Sequence, residues 1–331
     1  MFNGRKKITG IGSALVDLLL KEEHAFVASL GAEMGGMTLV DHHFIETALL
    51  SAGKTPHVVS GGSSCNTIVG VGMLGGSAAF IGQLGNDEFG RIFTDDLRKS
   101  AVDPVLFQSP SPTGKVLSVI TPDAQRTMFT HLGASTELNP ADITPELFTD
   151  TAVVVVEGYL LFNPDLMVAT VQAAKAAGAR VSLDLASFEV VNTARSLIND
   201  IVMDYVDILI ANEDEAEAYC GHRDETKVMA HLLELAPLAV LKIGERGSYI
   251  SFENQLFRIR AQTDAPPVDT TGAGDLWAAG FLYGLVNGYP IEACGAIGSA
   301  CGFEVCQVVG AKIPEAGWDR IRALISSFDK E

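Results

Sequence analysis

Positive charge is what this chain has least of. Lys and Arg number 23 against 41 Asp and Glu, a formal net charge of −18 with a pI near 4.7. No basic field exists to hold a nucleic-acid backbone or an anionic membrane surface, so neither is expected as a partner and small-molecule chemistry is. Cysteine is scarce too. The five residues Cys65, Cys220, Cys294, Cys301 and Cys306 form no C-x-x-C pair, which leaves a disulfide framework or zinc site unsupported and fits a reducing cytoplasm. Long apolar runs are missing, with none near the ~18 uninterrupted residues of a membrane span. Arg5, Lys6 and Lys7 ahead of residues 8–20 imitate a secretory leader, but Asp17 interrupts the stretch and no small-x-small site follows. The segment reads instead as a first buried strand. Repeats and low-complexity tracts are also lacking.

What is present suits a globular protein. The 331 residues are 47% hydrophobic and 19% charged with a mean hydropathy of +0.25, enough to bury a large core. Short apolar runs at 8–14, 78–81, 152–156, 180–183, 208–211 and 238–243 are uniformly apolar in several cases, as strands buried on both faces should be. Helical patterns at 87–99, 164–177 and Glu213–Cys220 separate them, the last two ending at Gly178 and Gly221. The rhythm is βαβ, which predicts one α/β domain over 1–331 with a doubly wound, mostly parallel sheet. Two stretches break it. Residues 102–132 read as three short strands at 105–108, 115–121 and 126–132, an antiparallel ribbon, and the irregular piece 18–40 can add to it. Together they predict a small antiparallel lid over a cleft.

Two phosphate patterns occur in damaged form. Gly53-Lys54-Thr55 resembles the end of a P-loop, but Ala48 stands where glycine is required and no strand leads in. Gly70-Val71-Gly72-Met73-Leu74-Gly75 matches G-x-G-x-x-G, yet residues 66–74 read as helix interior, where glycines permit close packing. An NAD(P)-dependent oxidoreductase built on it is the remote alternative.

The strong motif is Asp269-Thr270-Thr271-Gly272-Ala273-Gly274-Asp275, which opens an apolar helix. A Gly-rich turn entering a helix gathers free backbone N–H groups at the positive end of the helix dipole, a place that suits an anion. Asp275 stands in the first turn beside it. A cap and a dipole-complementing acid would not need two Thr, two Gly and two Asp in seven residues.

This motif resembles the C-terminal signature of the ribokinase-like (PfkB) carbohydrate kinases, which include adenosine kinases. The likeness continues in order through Gly61-Gly62-Ser63-Ser64-Cys65-Asn66, residues 84–90, Asn212-Glu213-Asp214-Glu215 and Lys242-Ile243-Gly244-Glu245-Arg246-Gly247. The resemblance implies a kinase that moves the γ-phosphoryl of ATP to a primary hydroxyl. It makes Asp275 the base and Gly272, Ala273 and Gly274 the anion hole, and it places Asp17, Gly61, Gly62 and Asn66 on the acceptor's hydroxyls. On their own residues, Asp17 would read as a turn cap and Asn212 with Glu215 as a helix start. The resemblance gives Asn212, Lys242, Gly244, Gly247 and Thr271 to the nucleotide and Glu215 to Mg²⁺ through water. It also puts K⁺ near Asp269 and the loop 308–311. Glu157, closing a Val-rich strand, is a further candidate for substrate contact. A homodimer is compatible with the resemblance.

Residues 125–134 and 37–41 are most similar to the bacterial adenosine-kinase-like branch. Met37, Leu39 and Phe129 would offer a purine an apolar lid face. Against this, Lys115 and Arg126 on the lid would suit a sugar phosphate or sugar acid, and a simple sugar is the remaining alternative.

Overall fold

A computed structural model describes residues 2–32, 34–123 and 125–328; the ends of the expected 1–331 domain and two positions within the expected lid lie outside them. Among the described residues two sheets form. The larger runs β14 (Gln255–Ile259), β13 (Ser248–Phe252), β12 (Leu238–Lys242), β11 (Ile208–Asn212), β10 (Arg180–Asp184), β9 (Thr151–Glu157), β1 (Lys7–Ile11), β5 (Ala78–Gly85), β6 (Val102–Ser109). It is parallel from β12 to β6, with β13 and β14 as an antiparallel hairpin at one edge. Along β9, Val153 and Val155 face one apolar cluster and Val154 and Val156 the other, so a strand covered on both faces is apolar at every position. Helices Ala273–Asn287 and Ile291–Cys306 cover the first face, and Pro164–Ala176 and Phe188–Tyr205 the second. This is the expected doubly wound α/β architecture.

The smaller sheet runs β3 (Met37–Leu39), β8 (Arg126–His131), β7 (Gly114–Ile120), β2 (Leu15–Lys21), β4 (His57–Gly61). Its pairs β7/β8 and β2/β4 are antiparallel, while β2/β7 and β3/β8 are parallel. The segment 105–108, expected in this ribbon, belongs to the large sheet instead. It lies in β6, which returns through the helix Glu88–Lys99 to pair parallel with β5. As an edge strand β6 is wet on one side and tolerates Pro104, which is why it reads like a ribbon strand. The run 8–14 likewise stops at Ile11. The chain turns at Gly12 and Ser13 and enters the second sheet, so Asp17 sits mid-strand in β2 and not in a turn.

Both damaged phosphate patterns have structural explanations. Gly53 takes φ 61° as the left-handed end of the helix His42–Ala52. Gly70 and Gly72 lie inside the helix Ser63–Met73, where a Cβ on Gly70 would approach Ala279 to 2.6 Å and one on Gly72 the Ser100 carbonyl to 2.1 Å. Among the described residues no helix is long and apolar enough to cross a membrane, and all five cysteines are free.

Candidate active site

Two helix N-termini meet at Asp275. Ser63 Oγ donates to its Oδ1 at 2.7 Å and Asn66 Nδ2 to its Oδ2 at 2.9 Å, while Thr67 Oγ1 binds its carbonyl at 3.1 Å. The helices pack because Gly70 leaves room for Leu276 and Ala279. Burial pushes the Asp275 carboxyl up to about 6, against the pull of the Asn66 and Ser63 bonds. Among the described residues the amides of Gly272, Gly274 and Asp275 donate to no protein acceptor, and Gly272 takes φ 74°. A base poised near neutrality therefore stands beside an open set of backbone donors.

The lid reaches this turn through Arg126. Its Nη1 donates to Thr271 Oγ1 at 2.6 Å, its Nη2 to Ser118 Oγ at 2.7 Å, and Nη2 lies 3.7 Å from Asp17 Oδ2. Thr271 in turn donates to Asp269 Oδ1 by both its amide and its hydroxyl, and Gly310 N donates to Asp269 Oδ2 at 2.8 Å. Asp269 is thus a strut between the anion turn and the 308–311 loop. Burial pushes its carboxyl up, yet the bonds from Gly310 and Thr271 with Arg126 nearby outweigh that and hold it low. Asp17 lies over Gly61, where a Cβ would come within 2.7 Å of Oδ2; burial raises its carboxyl against Arg126 and Lys312. Gly62 takes φ 100° against the Ser13 carbonyl, a position open only to glycine.

Register decides which lid residues face the cleft. Asp17 pairs with Val116, Val116 with Thr130, Thr130 with Leu39 and Met128 with Met37, so these share one face. Met37 and Leu39 are exposed there, at 53% and 64%. Phe129 is turned away: it is buried against Phe44 of the helix His42–Ala52, with ring centroids 5.1 Å apart. The expectation that it faces the cleft is corrected: Met128, the preceding residue, lies on the Asp17 face instead. Lys115 also points away, lying over the Phe89 ring at 4.4 Å and near His42.

On the other side of the anion turn, β12 ends at Lys242, whose Nζ is 2.8 Å from Asp184 Oδ2 and 3.0 Å from the point a Cβ on Gly274 would occupy. Burial would lower its pKa, but Asp184, Glu215 and Asp275 outweigh that and keep it charged. Asn212 and Glu215 form a reciprocal capping box on Glu213–Cys220, and burial followed by Asp184 raises the Glu215 carboxyl. Gly247 takes φ 97° because a Cβ would meet the Ile259 carbonyl, and Gly244 takes φ 57° in open space. Glu157 is not free for substrate. Its oxygens accept from Ser13 N at 2.8 Å and Ser64 N at 3.0 Å, which fixes the turn out of β1 and the start of the helix carrying Asn66.

Three participants carry no sequence signal of their own: Ser63, Asp184 and Tyr159. The Tyr159 ring stands at the cleft rim, 41% exposed, and its hydroxyl is pushed up to about 12 by burial and then by Glu157, Asp275 and Glu215.

The turn 269–275 with its held carboxylate is the decisive feature, and comparison agrees with it: residues 25–316 match the pfkB family carbohydrate kinase pattern. The chain belongs to that family. This pfkB-family chain is 29% identical over 255 residues to the 5-dehydro-2-deoxygluconokinase of Bacillus subtilis, covering 72% of this chain and 78% of that one. Its fold matches a probable sugar kinase protein from Rhizobium etli (TM-score 0.87, 30% identity) and the adenosine kinase from Sinorhizobium meliloti (TM-score 0.85, 31% identity). Each match covers 98% of this chain and 99% of the other. A pfkB-family member is a phosphotransferase with a hydroxyl acceptor, and the G-x-G-x-x-G alternative falls with its place inside a packed helix.

Proposed function

We propose that this kinase transfers the γ-phosphoryl of ATP to the primary hydroxyl of a nucleoside resembling adenosine. The observation that carries the reading is Asp275, held by Ser63 and Asn66 beside unpaired backbone amides. Asp275 takes the proton from the acceptor hydroxyl and the amides of Gly272 and Gly274 receive the phosphoryl oxygens, whereas the Ala273 amide, expected among them, donates to the Thr270 carbonyl at 3.1 Å and closes the turn. Asp17, Gly61, Gly62 and Asn66 hold the ribose hydroxyls. Thr271, Asn212, Lys242, Gly244 and Gly247 serve the nucleotide.

No cluster of three or more His, Cys, Asp or Glu fit to cage a metal exists among the described residues. That suits Mg²⁺, which keeps several waters and rides on substrate phosphates. Glu215 would hold it through water. Bound there, it neutralises charge on the phosphates. Main-chain carbonyls near Asp269 and the 308–311 loop would hold K⁺, with Asp269 bracing the two segments.

For the acceptor, the exposed Met37 and Leu39 with Met128 offer a flat apolar surface, and Lys115 faces elsewhere. A sugar acid is the second reading, favoured by one observation: Arg126 Nε is buried beside Asp17 with no acceptor among the described residues. ADP release from MgATP with a panel of nucleosides, sugars, sugar acids and sugar phosphates tests the choice. Turnover on adenosine, inosine or guanosine is expected; turnover confined to an acidic or phosphorylated sugar would overturn it.

A further inference from the structure

Lys242 places an ammonium where a helix least favours one. Its Nζ lies 3.0 Å from the point a Cβ on Gly274 would occupy, against the first turn of Ala273–Asn287. That end of the helix already carries positive charge and unpaired amides, which Asp275 on its first turn only partly offsets. Something must hold the ammonium there. Asp184 Oδ2 takes it at 2.8 Å, with both side chains only 14% exposed. Asp184 Oδ1 meanwhile accepts the amide of Ala186 at 3.1 Å. Ala186 takes φ 66°, a left-handed conformation costly for a residue with a Cβ. The carboxylate is therefore fixed by a strained turn on one side and fixes Lys242 on the other.

We propose that Asp184 is a positioning residue: it holds the Lys242 ammonium at the anion turn, so that Lys242 and the free amides form one preassembled receptor for the transferring phosphates of the nucleotide. The inference rests on the kinase reading and deepens its nucleotide side. In the empty protein Asp184 prevents Lys242 from leaving the helix end; with nucleotide present, Lys242 sits between Asp184 and the phosphate oxygens. The opposing possibility is an ordinary buried ion pair whose loss affects only stability.

A double-mutant cycle separates the two. ATP dissociation constants, kcat and melting temperature are measured for the wild type, Asp184→Asn, Lys242→Met and the double variant. Each single change is expected to raise the ATP Kd by about tenfold or more, the scale of one charge-assisted hydrogen bond. The double variant should bind no worse than Lys242→Met alone, because Asp184 acts through Lys242. Asp184→Glu keeps the charge but displaces the ammonium by a methylene, so ATP affinity should fall with little change in melting temperature. Effects that multiply across the cycle, or an Asp184→Asn or Asp184→Glu protein that binds ATP as the wild type does, would overturn the proposal. A wild type that binds no ATP and releases no ADP with any acceptor would instead sink the kinase reading, and this one with it.

Discussion

Ser63 Oγ and Asp275 Oδ1 are joined across 2.7 Å, and this bond ties the N-terminus of Ser63–Met73 to that of Ala273–Asn287. It leaves the carboxylate oriented but still basic. Asp275→Asn keeps the shape and removes the base, so kcat should fall by roughly 10²–10⁴-fold while ATP binding stays nearly intact. Near wild-type turnover at saturating substrates would show that Asp275 does not take the proton.

The same carboxyl predicts two pH dependences. With its pKa pushed up to about 6, kcat/KM should fall on the acid side around pH 6. Ser63→Ala removes a bond that pulls this value down, so the acid limb should move to higher pH. Folding is linked to it as well. The folded pKa lies above the usual 3.8, so the native state binds the proton more tightly. The stability this adds is fully present below about pH 4 and lost as pH rises through 6. Asp275→Asn does not suffer that loss. Its melting temperature relative to wild type should therefore rise between pH 4 and pH 7, and a flat difference would contradict the assignment.

Phe129 and Leu39 should respond to mutation in opposite ways. Phe129→Ala removes a ring buried against Phe44 and should cost about 3–5 kcal/mol of stability. Leu39→Ser touches an exposed side chain on the Asp17 face, so it should leave the melting temperature unchanged and raise the acceptor KM several-fold. Thermal melts beside acceptor titrations check both.

What could be read from the sequence follows from how local each feature is. The turn 269–275, the N-x-x-E cap and the uniformly apolar strands each lie within a few residues, and each is where the spacing puts it. Phe129 lies on the face opposite the expected one because side chains alternate along a strand, so the face depends on β7/β8 and β3/β8 register, set by residues far away. Arg126 reaches Thr271 across 145 positions and Lys242 reaches Asp184 across 58, distances no local pattern encodes. Strand β6 reads like a ribbon strand because, at the edge of the sheet, its 104–107 stretch is only half-buried.

Monovalent-cation dependence should appear in kcat. A K⁺ held by carbonyls near Asp269 and the 308–311 loop would stiffen the anion turn without entering the reaction. Replacing K⁺ by a tetraalkylammonium ion at equal ionic strength should lower kcat, with the ATP KM read in parallel. An unchanged rate would remove the cation from the account.

Arg126 separates the two acceptor readings. Its guanidinium spans Thr271, Ser118 and Asp17, so it closes the lid sheet onto the anion turn whichever acceptor is used. For a nucleoside this is its whole task. Arg126→Ala should then lower kcat by about 10–100-fold, the scale of lost charge-assisted bonds at the turn, while the nucleoside KM stays within about threefold. Arg126→Lys should not restore the rate, because one ammonium cannot bridge Thr271 and Ser118 as a planar fork does. For a sugar acid, the unpaired Nε–H would instead bind the acceptor's carboxylate directly. The acceptor KM would then rise by a hundredfold or so in Arg126→Ala, the cost of leaving a buried charge unpaired. A KM effect of that size with kcat preserved would transfer the assignment from nucleoside to acid.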